Sequence, residues 1–261
     1  IVVSAENEEQ AKSAIDFAEK LLTGNNAKAG ATQKQLPRNI QSAVRSLPEA
    51  NVALISVPGE YAAGEAIKAM NAGLHVHLFS DNVSIDDELR IKRLGVEKGL
   101  LVMGPDCGTA IINGKVLAFG NVVNRGAIGI VGASGTGIQE ATVLIERLGA
   151  GISHAIGTGG RDLSDKIGGL MMLMGIDCLE QDPATKVILI ISKPAGENTT
   201  TRLLHRIKTC KKPVVVCLMK GEFSGEDGLV CAKTIEDAAY KAVALLNGEV
   251  AIAMPEMFWG D

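Results

Sequence analysis

Residues 128–137 read IGIVGASGTG, an apolar run that passes directly into a turn of glycine, serine and threonine. The run predicts a buried strand, and a helical pattern follows the turn at once. The apolar stripe of that helix consists of Ile138, Ala141, Leu144, Ile145 and Leu148. Gly149 then stands where a left-handed helix cap is expected. Because the helix begins at the carboxyl end of a strand, its free N–H groups and dipole favour an anion there.

The Ser134-Gly135-Thr136 turn has a second interpretation, in which Ser134 only caps the helix. No lysine follows Thr136, so the turn is not a Walker A loop, and its glycine spacing is not that of a GxGxxG fingerprint. An anion site and a plain helix cap therefore both stay open at this point.

The composition indicates a globular α/β protein. Hydrophobic residues make up 46% of the 261 residues and aromatic residues only 3%, so the core must consist of Ala, Val, Ile and Leu. Such a core suits layers of sheet and helix. A formal net charge of −4 without a basic block argues against nucleic acid as a partner. No apolar run reaches the roughly 20 residues that a membrane span needs.

The cysteines indicate a cellular compartment, and the first residue indicates how the chain relates to a longer protein. The five cysteines are odd in number and lack CxxC spacing, which argues against disulfides and a zinc site and favours the cytoplasm. The chain begins at Ile1 rather than Met and already has a strand-like pattern there, so we expect a trimmed chain or a fragment.

Strands and helices alternate from residue 51 onward, which predicts parallel sheets with right-handed crossovers. Asn113-Gly114 predicts a β-hairpin turn. A linker at 121–126 places a domain boundary near residue 124. We therefore predict three segments: a domain at 1–124, a domain at 125–247 and a tail at 248–261.

Several local elements are predicted with their ends. Residues 1–4 form a short strand, 6–22 an amphipathic helix and 24–36 an exposed loop. Ser84 begins a helix, because Asp87 three residues later completes a capping box. A further helix is expected over residues 164–181.

Candidate functional residues lie at the carboxyl ends of strands, where open α/β sheets bind ligands. Gly157-Thr158-Gly159-Gly160-Arg161-Asp162 follows the strand after residue 151, and we expect it beside Ser134. Arg161 could hold a phosphate or carboxylate with two hydrogen bonds, or instead pair with Asp162 or Asp165. Lys193 follows the next strand and could reach the same crevice, or it could be a surface lysine.

Cysteine and histidine chemistry has weaker support. Cys107 lies in a Gly-Pro-Asp-Cys-Gly turn without a visible base, which favours a structural role. His75 and His77 share one face of a strand but lack a third ligand, so no metal site is expected. His154 and His205 are expected to be structural.

Four motifs occur in order along the chain: Gly104-Pro105-Asp106-Cys107-Gly108, Ser134-Gly135-Thr136, Gly157-Thr158-Gly159-Gly160-Arg161-Asp162-Leu163-Ser164 and Asp182-Pro183-Ala184-Thr185-Lys186. This order resembles the FdrA family, a branch of the CoA-ligase superfamily whose best-known member is the succinyl-CoA synthetase α subunit. The resemblance implies an α/β fold with parallel sheets. It comprises a Rossmann-like CoA-binding-type domain, N-terminally truncated here, followed by a flavodoxin-like ligase domain.

The chain departs from the synthetase at two positions. The synthetase carries a phosphorylated histidine in a Gly-His-Ala-Gly turn, whereas the corresponding region here, residues 220–228, reads KGEFSGEDG. The glutamate that holds that histidine corresponds to a position near Lys193. A cation there suits an anionic ligand, so the resemblance implies a phosphate site without a phosphohistidine.

FdrA-like proteins resemble one subunit of an oxamate carbamoyltransferase of allantoin breakdown. The resemblance thus implies a hetero-oligomeric, cytoplasmic enzyme that binds phosphate or carbamoyl phosphate, with coenzyme A as a further candidate ligand. Positioning and electrostatics would suffice for that transfer. The alternatives are an acyl-CoA synthetase and a non-catalytic subunit that binds phosphate or CoA. The expected catalytic residues are Arg161 and Lys193, and the expected ligand-binding residues are Ser134, Gly135, Thr136, Gly159, Gly160, Pro105 and Asp106.

Overall fold

The computed structural model describes residues 7–22, 37–218 and 229–250. The strand predicted at 1–4, the loop at 24–36 and the stretch 220–228 lie outside the described residues. The chain divides into two compact units, residues 1–39 and residues 40–261. In the first unit, α1 (Glu8–Leu22) confirms the predicted amphipathic helix, and the N–H of Gln10 donates to Asn7 Oδ1 at 2.9 Å.

The second unit begins with a small parallel sheet of strand order β1-β2-β3. Its elements, in chain order, are α2 (Ile40–Ser46), β1 (Val52–Ile55), α3 (Gly59–Asn71), β2 (His75–Leu78), α4 (Ile85–Lys98) and β3 (Val102–Met103). Ser84 caps α4 as predicted, since its Oγ accepts the N–H of Asp87 at 3.1 Å. The predicted alternation of strand and helix is confirmed here.

A larger sheet of seven strands follows, in the order β10-β9-β8-β6-β7-β4-β5. Its strands are β4 (Thr109–Ile112), β5 (Lys115–Ala118), β6 (Arg125–Gly132), β7 (Ile152–Gly157), β8 (Val187–Ser192), β9 (Val214–Leu218) and β10 (Val230–Cys231). The helices between them are α5 (Gly135–Arg147), α6 (Leu170–Gln181), α7 (Glu197–Lys208) and α8 (Ile235–Leu246). The pairs from β10 to β7 are parallel, as the alternation predicted.

The predicted hairpin at Asn113-Gly114 is confirmed, and both residues have positive φ, 50° and 74°. Strand β4 of this hairpin also pairs antiparallel with β7, through Ile111 and Ala155. The hairpin therefore belongs to the larger sheet although it precedes residue 124. The domain division near residue 124 stays a prediction.

Helix α6 begins later than expected, at Leu170 rather than near residue 164. Gly168 and Gly169 adopt φ values of 76° and 68°, which a right-handed helix excludes. The carboxylate of Asp162 then accepts the N–H groups of Met171 and Met172 at 3.3 and 2.8 Å. The preceding residues thus form a turn, and the helix is capped from outside by Asp162.

The core lies on both faces of the large sheet. Every residue of β8 and β9 is buried, which explains why these strands read as continuous apolar runs. Helix α5 buries Ile138, Ala141, Leu144 and Ile145 against the sheet, as its stripe predicted. None of the helices in the described ranges is long and apolar enough to cross a membrane.

Candidate functional site

A cavity of about 540 Å³ opens at the carboxyl ends of strands from both sheets. This volume falls within the roughly 300–1,000 Å³ of small-molecule sites. The lining residues are Ser56, Val57, Phe79, Ser80, Asp81, Asp106, Gly108, Thr109, Phe119, Ala133, Ser134, Gly135, Thr136, Gln139, Gly160 and Lys193. The loop that follows β6 and enters α5 is therefore part of the wall, as is the start of the loop after β8.

The first turn of α5 forms one wall of the cavity. Ser134 is 7% exposed, and its Oγ accepts the N–H of Gly137 at 3.3 Å, so it caps the helix. The first N–H groups of a helix lack partners within it. Those of Gly135 and Thr136 donate to no residue in the described part of the chain. Two donors at the positive end of the helix dipole therefore stand beside the cavity.

The strand order β8-β6-β7 brings the neighbouring loops to this turn. Lys193 follows β8 and Gly160 follows β7, and both line the same cavity. Among the described residues that line it, Lys193 is the one cation, and none is a histidine or cysteine. The predicted juxtaposition of Ser134, Gly160 and Lys193 is therefore present, while their roles stay predictions.

Asp106 also lines the cavity, whereas Pro105 and Gly159 do not. Gly159 has a φ of 86°, and a β-carbon there would lie 2.3 Å from the carbonyl oxygen of Pro105. Glycine is therefore required at this position to bring the two loops together. The Gly104-Pro105 peptide bond is cis.

Arg161 is placed differently from the expectation. It is absent from the cavity lining, and its Nε and Nη2 each lie 2.8 Å from Glu88 Oε2. Nη2 also donates to the carbonyl oxygen of Val83 at 2.8 Å. The alternative partners Asp162 and Asp165 are used elsewhere, by Lys92 and by Thr199. A contact of Arg161 with a ligand through both Nε and Nη2 would require these bonds to break.

Several residues of the site were not singled out by sequence reasoning. Gln139, one turn into α5, donates to Thr109 Oγ1 at 2.7 Å and to the carbonyl oxygen of Phe119 at 3.1 Å. Phe79 and Phe119 pack edge to face, with ring centroids 5.2 Å apart. The position of Gln139, four residues after Gly135, could have indicated that it faces the same edge.

The cysteine turn is structural, as favoured. The Cys107 thiol donates to the carbonyl oxygens of Thr109 and Gly157, and burial raises its pKa to about 12. A thiol in this state is a poor nucleophile.

Three of the histidines lie on strands β2 and β7, and two of these accept backbone hydrogen bonds. His75 Nδ1 accepts the N–H of Leu101, and His154 Nδ1 accepts that of Asn113. His77 is fully buried with both ring nitrogens unpaired, and burial lowers its pKa to about 4. No group of three or more potential ligands that could hold a metal occurs in the described ranges.

Comparisons with known proteins define the class. The CoA binding domain model matches residues 123–211, which fall mostly in the second predicted domain. The solved ATP citrate lyase of Methanothrix soehngenii, in complex with citrate and coenzyme A, superposes with a TM-score of 0.66 at 17% identity, over 84% of this chain and 42% of that one. The predicted mixed α/β fold of the CoA-ligase type is thus confirmed, and ATP-citrate-lyase proteins share it.

Sequence relatives narrow the class to a family. The mitochondrial succinate–CoA ligase [ADP-forming] subunit alpha-2 of Trichomonas vaginalis is 30% identical over 86% of this chain and 76% of its own length. This chain therefore belongs to the succinate–CoA ligase α-subunit family. The uncharacterized protein YahF of Escherichia coli (strain K12) is 58% identical over 79% of this chain. The chain spans only 40% of the length of YahF.

Proposed function

We propose that this chain is the phosphate-binding part of an enzyme that transfers an acyl group between phosphate and coenzyme A, together with a partner subunit. The main observation behind this proposal is that the N-terminus of α5, which Ser134 caps, and Lys193 line the same cavity. Family membership and the CoA binding domain match support coenzyme A as the acceptor. A partner subunit is part of the proposal because the Trichomonas vaginalis relative is itself one subunit of a ligase. A cytoplasmic location is a further part of the proposal.

The chemistry follows from the charges at the cavity. The thiolate of coenzyme A attacks the carbonyl carbon of an acyl phosphate, a C–S bond forms, and the bond from that carbon to the bridging phosphate oxygen breaks. Inorganic phosphate leaves with the electron pair. The N–H groups of Gly135 and Thr136 and the ammonium of Lys193 would stabilise the charge that develops on the phosphate. The reverse reaction uses the same contacts.

A second candidate is carbamoyl transfer, because carbamoyl phosphate is itself an acyl phosphate. Here the amide nitrogen of oxamate would attack in place of the thiolate and form a C–N bond, the bond from the carbonyl carbon to the phosphate oxygen would break, and the departing phosphate would take up the proton that the amide nitrogen loses. The observation that favours it is the lining, which contains no histidine or cysteine among the described residues. A transfer directly between bound substrates needs no phosphorylated side chain. The resemblance to the FdrA family supports the same candidate.

Phosphate binding to the full-length protein, assembled with its partner subunits, tests the shared part of both candidates. We expect inorganic phosphate to bind by isothermal titration calorimetry and Lys193→Ala to weaken binding by about 10- to 100-fold, since a hydrogen bond to a charged group contributes about 1.5–3 kcal/mol. Lys98→Ala, which removes an exposed lysine in the last turn of α4, is the matched control. Equal phosphate affinity in the two variants, or CoA binding without phosphate binding, would contradict the proposal.

The nucleophile is identified by paired assays. Acetyl phosphate with coenzyme A should release phosphate if the chain belongs to a ligase. Carbamoyl phosphate with oxamate should release it if the chain belongs to a carbamoyltransferase. Lys193→Ala should slow whichever reaction occurs. If the wild-type assembly binds phosphate but catalyses neither reaction, both catalytic candidates fail and the non-catalytic alternative is retained.

A further inference from the structure

Helix α4 carries a lysine that is completely buried. Lys92 is 0% exposed, and its ammonium donates to three acceptors: Glu88 Oε1 at 2.8 Å, the carbonyl oxygen of Thr158 at 2.9 Å and Asp162 Oδ1 at 2.9 Å. All three donor hydrogens of the ammonium are therefore used. Two of the acceptors lie on the loop after β7, 66 and 70 residues further along the chain.

The surrounding charges cancel. Glu88, 1% exposed, lies between Lys92 and Arg161, while Asp162 accepts from Lys92 and from the first turn of α6. We call these four residues, Lys92, Glu88, Asp162 and Arg161, the Lys92 cluster. Buried ion pairs of this kind contribute little net stability compared with well-packed apolar side chains. Such pairs are better known for selecting one geometry. Here that geometry is the conformation of the loop after β7, to which Lys92 donates two hydrogen bonds.

That loop is connected directly to the cavity wall. The N–H of Thr158 donates to the carbonyl oxygen of Gly132 at 2.8 Å, and its Oγ1 lies 3.3 Å from the same oxygen. Gly132 is two residues before the cap Ser134, and Gly160, two residues after Thr158, lines the cavity. Lys92 thus holds the carbonyl group of the same residue, Thr158, whose N–H joins the loop to the start of α5.

We propose that Lys92 is a positioning residue for the anion cavity, which it does not line. Its hydrogen bond to the carbonyl oxygen of Thr158 fixes the segment Thr158–Gly160 against the first turn of α5. The bond between Glu88 and Arg161 holds the Arg161 side chain toward α4 at the same time. The ligand part of this inference rests on the proposed function, whereas the effect on the loop does not.

The test uses two charge-balanced variants of the full-length protein with its partner subunits. Lys92→Met with Asp162→Asn leaves the Glu88–Arg161 pair intact, and Lys92→Met with Glu88→Gln leaves Asp162 and Arg161 with opposite charges. The matched control is Lys68→Met with Glu65→Gln, an exposed pair three residues apart on α3. Amide hydrogen exchange in residues 158–160 and calorimetric binding of inorganic phosphate are measured for each, beside the melting temperature.

We expect exchange in residues 158–160 to accelerate in both Lys92 variants and not in the control. Phosphate affinity should fall by on the order of 10- to 100-fold, the size expected when a hydrogen bond to a charged group is lost. At saturating phosphate, exchange should slow more in residues 158–160 than in the rest of the chain, whereas recovery from a general loss of stability would slow exchange throughout. Unchanged exchange in residues 158–160 of the Lys92 variants would overturn the inference. So would an unchanged phosphate affinity of these variants, provided that the wild-type protein binds phosphate.

The two proposals fail in different ways. If the wild-type assembly binds no phosphate, the proposed function fails, and the exchange rates of the unliganded variants still decide whether Lys92 holds the loop. If neither variant folds, hydrogen exchange of the wild-type protein with and without phosphate tests the inference instead. Phosphate should then slow exchange in residues 158–160 and in residues 134–137 together, and protection of residues 134–137 alone would overturn the inference.

Discussion

The N–H of Thr158 donates a 2.8 Å hydrogen bond to the carbonyl oxygen of Gly132. This bond continues the pairing of β6 with β7 beyond the last residues of both strands, Gly132 and Gly157. The two loops that leave these strands are therefore joined where they begin. A substitution in either loop should consequently be detectable at the other, and the predictions below use this connection.

Substitution of Ser134, the cap of α5, should affect both the stability of the protein and its affinity for phosphate. Ser134→Ala should cost about 1 kcal/mol of stability, because the N–H of Gly137 loses its acceptor. It should also weaken phosphate binding, since the first turn loses its fixed geometry. Thr234→Ala removes the equivalent cap of α8, where Thr234 Oγ1 accepts the N–H of Asp237, and serves as the control. Equal loss of phosphate affinity in both variants would contradict the assignment of the site to α5.

Gly159 should tolerate no side chain. Gly159→Ala combines a φ of 86° with a β-carbon 2.3 Å from the carbonyl oxygen of Pro105. Gly149→Ala provides the control, because Gly149 has a φ of 82° but nothing within 4 Å of its β-carbon. The control should lose about 1–2 kcal/mol from backbone strain alone. Gly159→Ala should lose a further ~1–3 kcal/mol in urea unfolding because the loops must move apart. Equal losses would show that the two loops are not tightly apposed.

His77 should make stability depend on pH in the acidic range. Burial lowers the pKa of this imidazole to about 4, below its ordinary value of 6.5. Between these values the unfolded chain binds a proton that the folded protein excludes. The contribution of neutral His77 to the free energy of unfolding is therefore fully present above pH 6.5. It falls by about 3 kcal/mol in all as the pH drops toward 4.

Replacement of His77 tests this directly. His77→Leu removes this titrating group and two unpaired buried nitrogens, so it should reduce the dependence between pH 6.5 and 4 without lowering stability at pH 7. His75 and His154, whose pKa values burial also lowers, keep their share of the dependence. His205→Gln, at an exposed position of α7, is the control substitution. Urea unfolding at pH 7 and pH 5 provides the measurement. An unaltered pH dependence in His77→Leu would refute the role of this residue.

Cys107 should resist alkylation in the folded protein. Burial raises its pKa to about 12, whereas Cys178 lies exposed on α6. Iodoacetamide at pH 8 should modify Cys178 first, and Cys107 only after denaturation, as peptide mass spectrometry would reveal. Cys107→Ser should retain phosphate binding, because the hydroxyl is close in size to the thiol and keeps one donor for the carbonyl oxygen of Thr109 or of Gly157. Rapid modification of native Cys107 would contradict its structural role.

Local patterns predicted those parts of the molecule that local chemistry determines. The caps at Ser134 and Ser84, the hairpin turn at Asn113 and the left-handed Gly149 each depend on residues within a few positions. The approach of Ser134 to Lys193 was predictable as well, because parallel strands bring their carboxyl ends to one edge. These features account for the α5 wall of the cavity.

Contacts between distant residues could not be predicted in the same way. Arg161 pairs with Glu88 across 73 residues, and neither of the nearby aspartates that sequence reasoning offered is its partner. Lys92 lies on a helix with several charged residues, where a buried position gives no separate signal. The late start of α6 depends on two successive glycines at positive φ, a conformation that the helical pattern of the segment conceals.

The neutrality of the Lys92 cluster also determines the electric field inside the cavity. Because the positive charge of Arg161 is matched by Glu88, it adds little to the potential at the ligand. The field arises instead from Lys193 and the dipole of α5 on the large-sheet side, and from Asp81 and Asp106 on the small-sheet side. The lining of the cavity thus carries a positive charge from the large-sheet side and negative charges from the small-sheet side. A molecule with phosphate at one end and hydroxyl or amide donors at the other can enter it favourably in only one orientation.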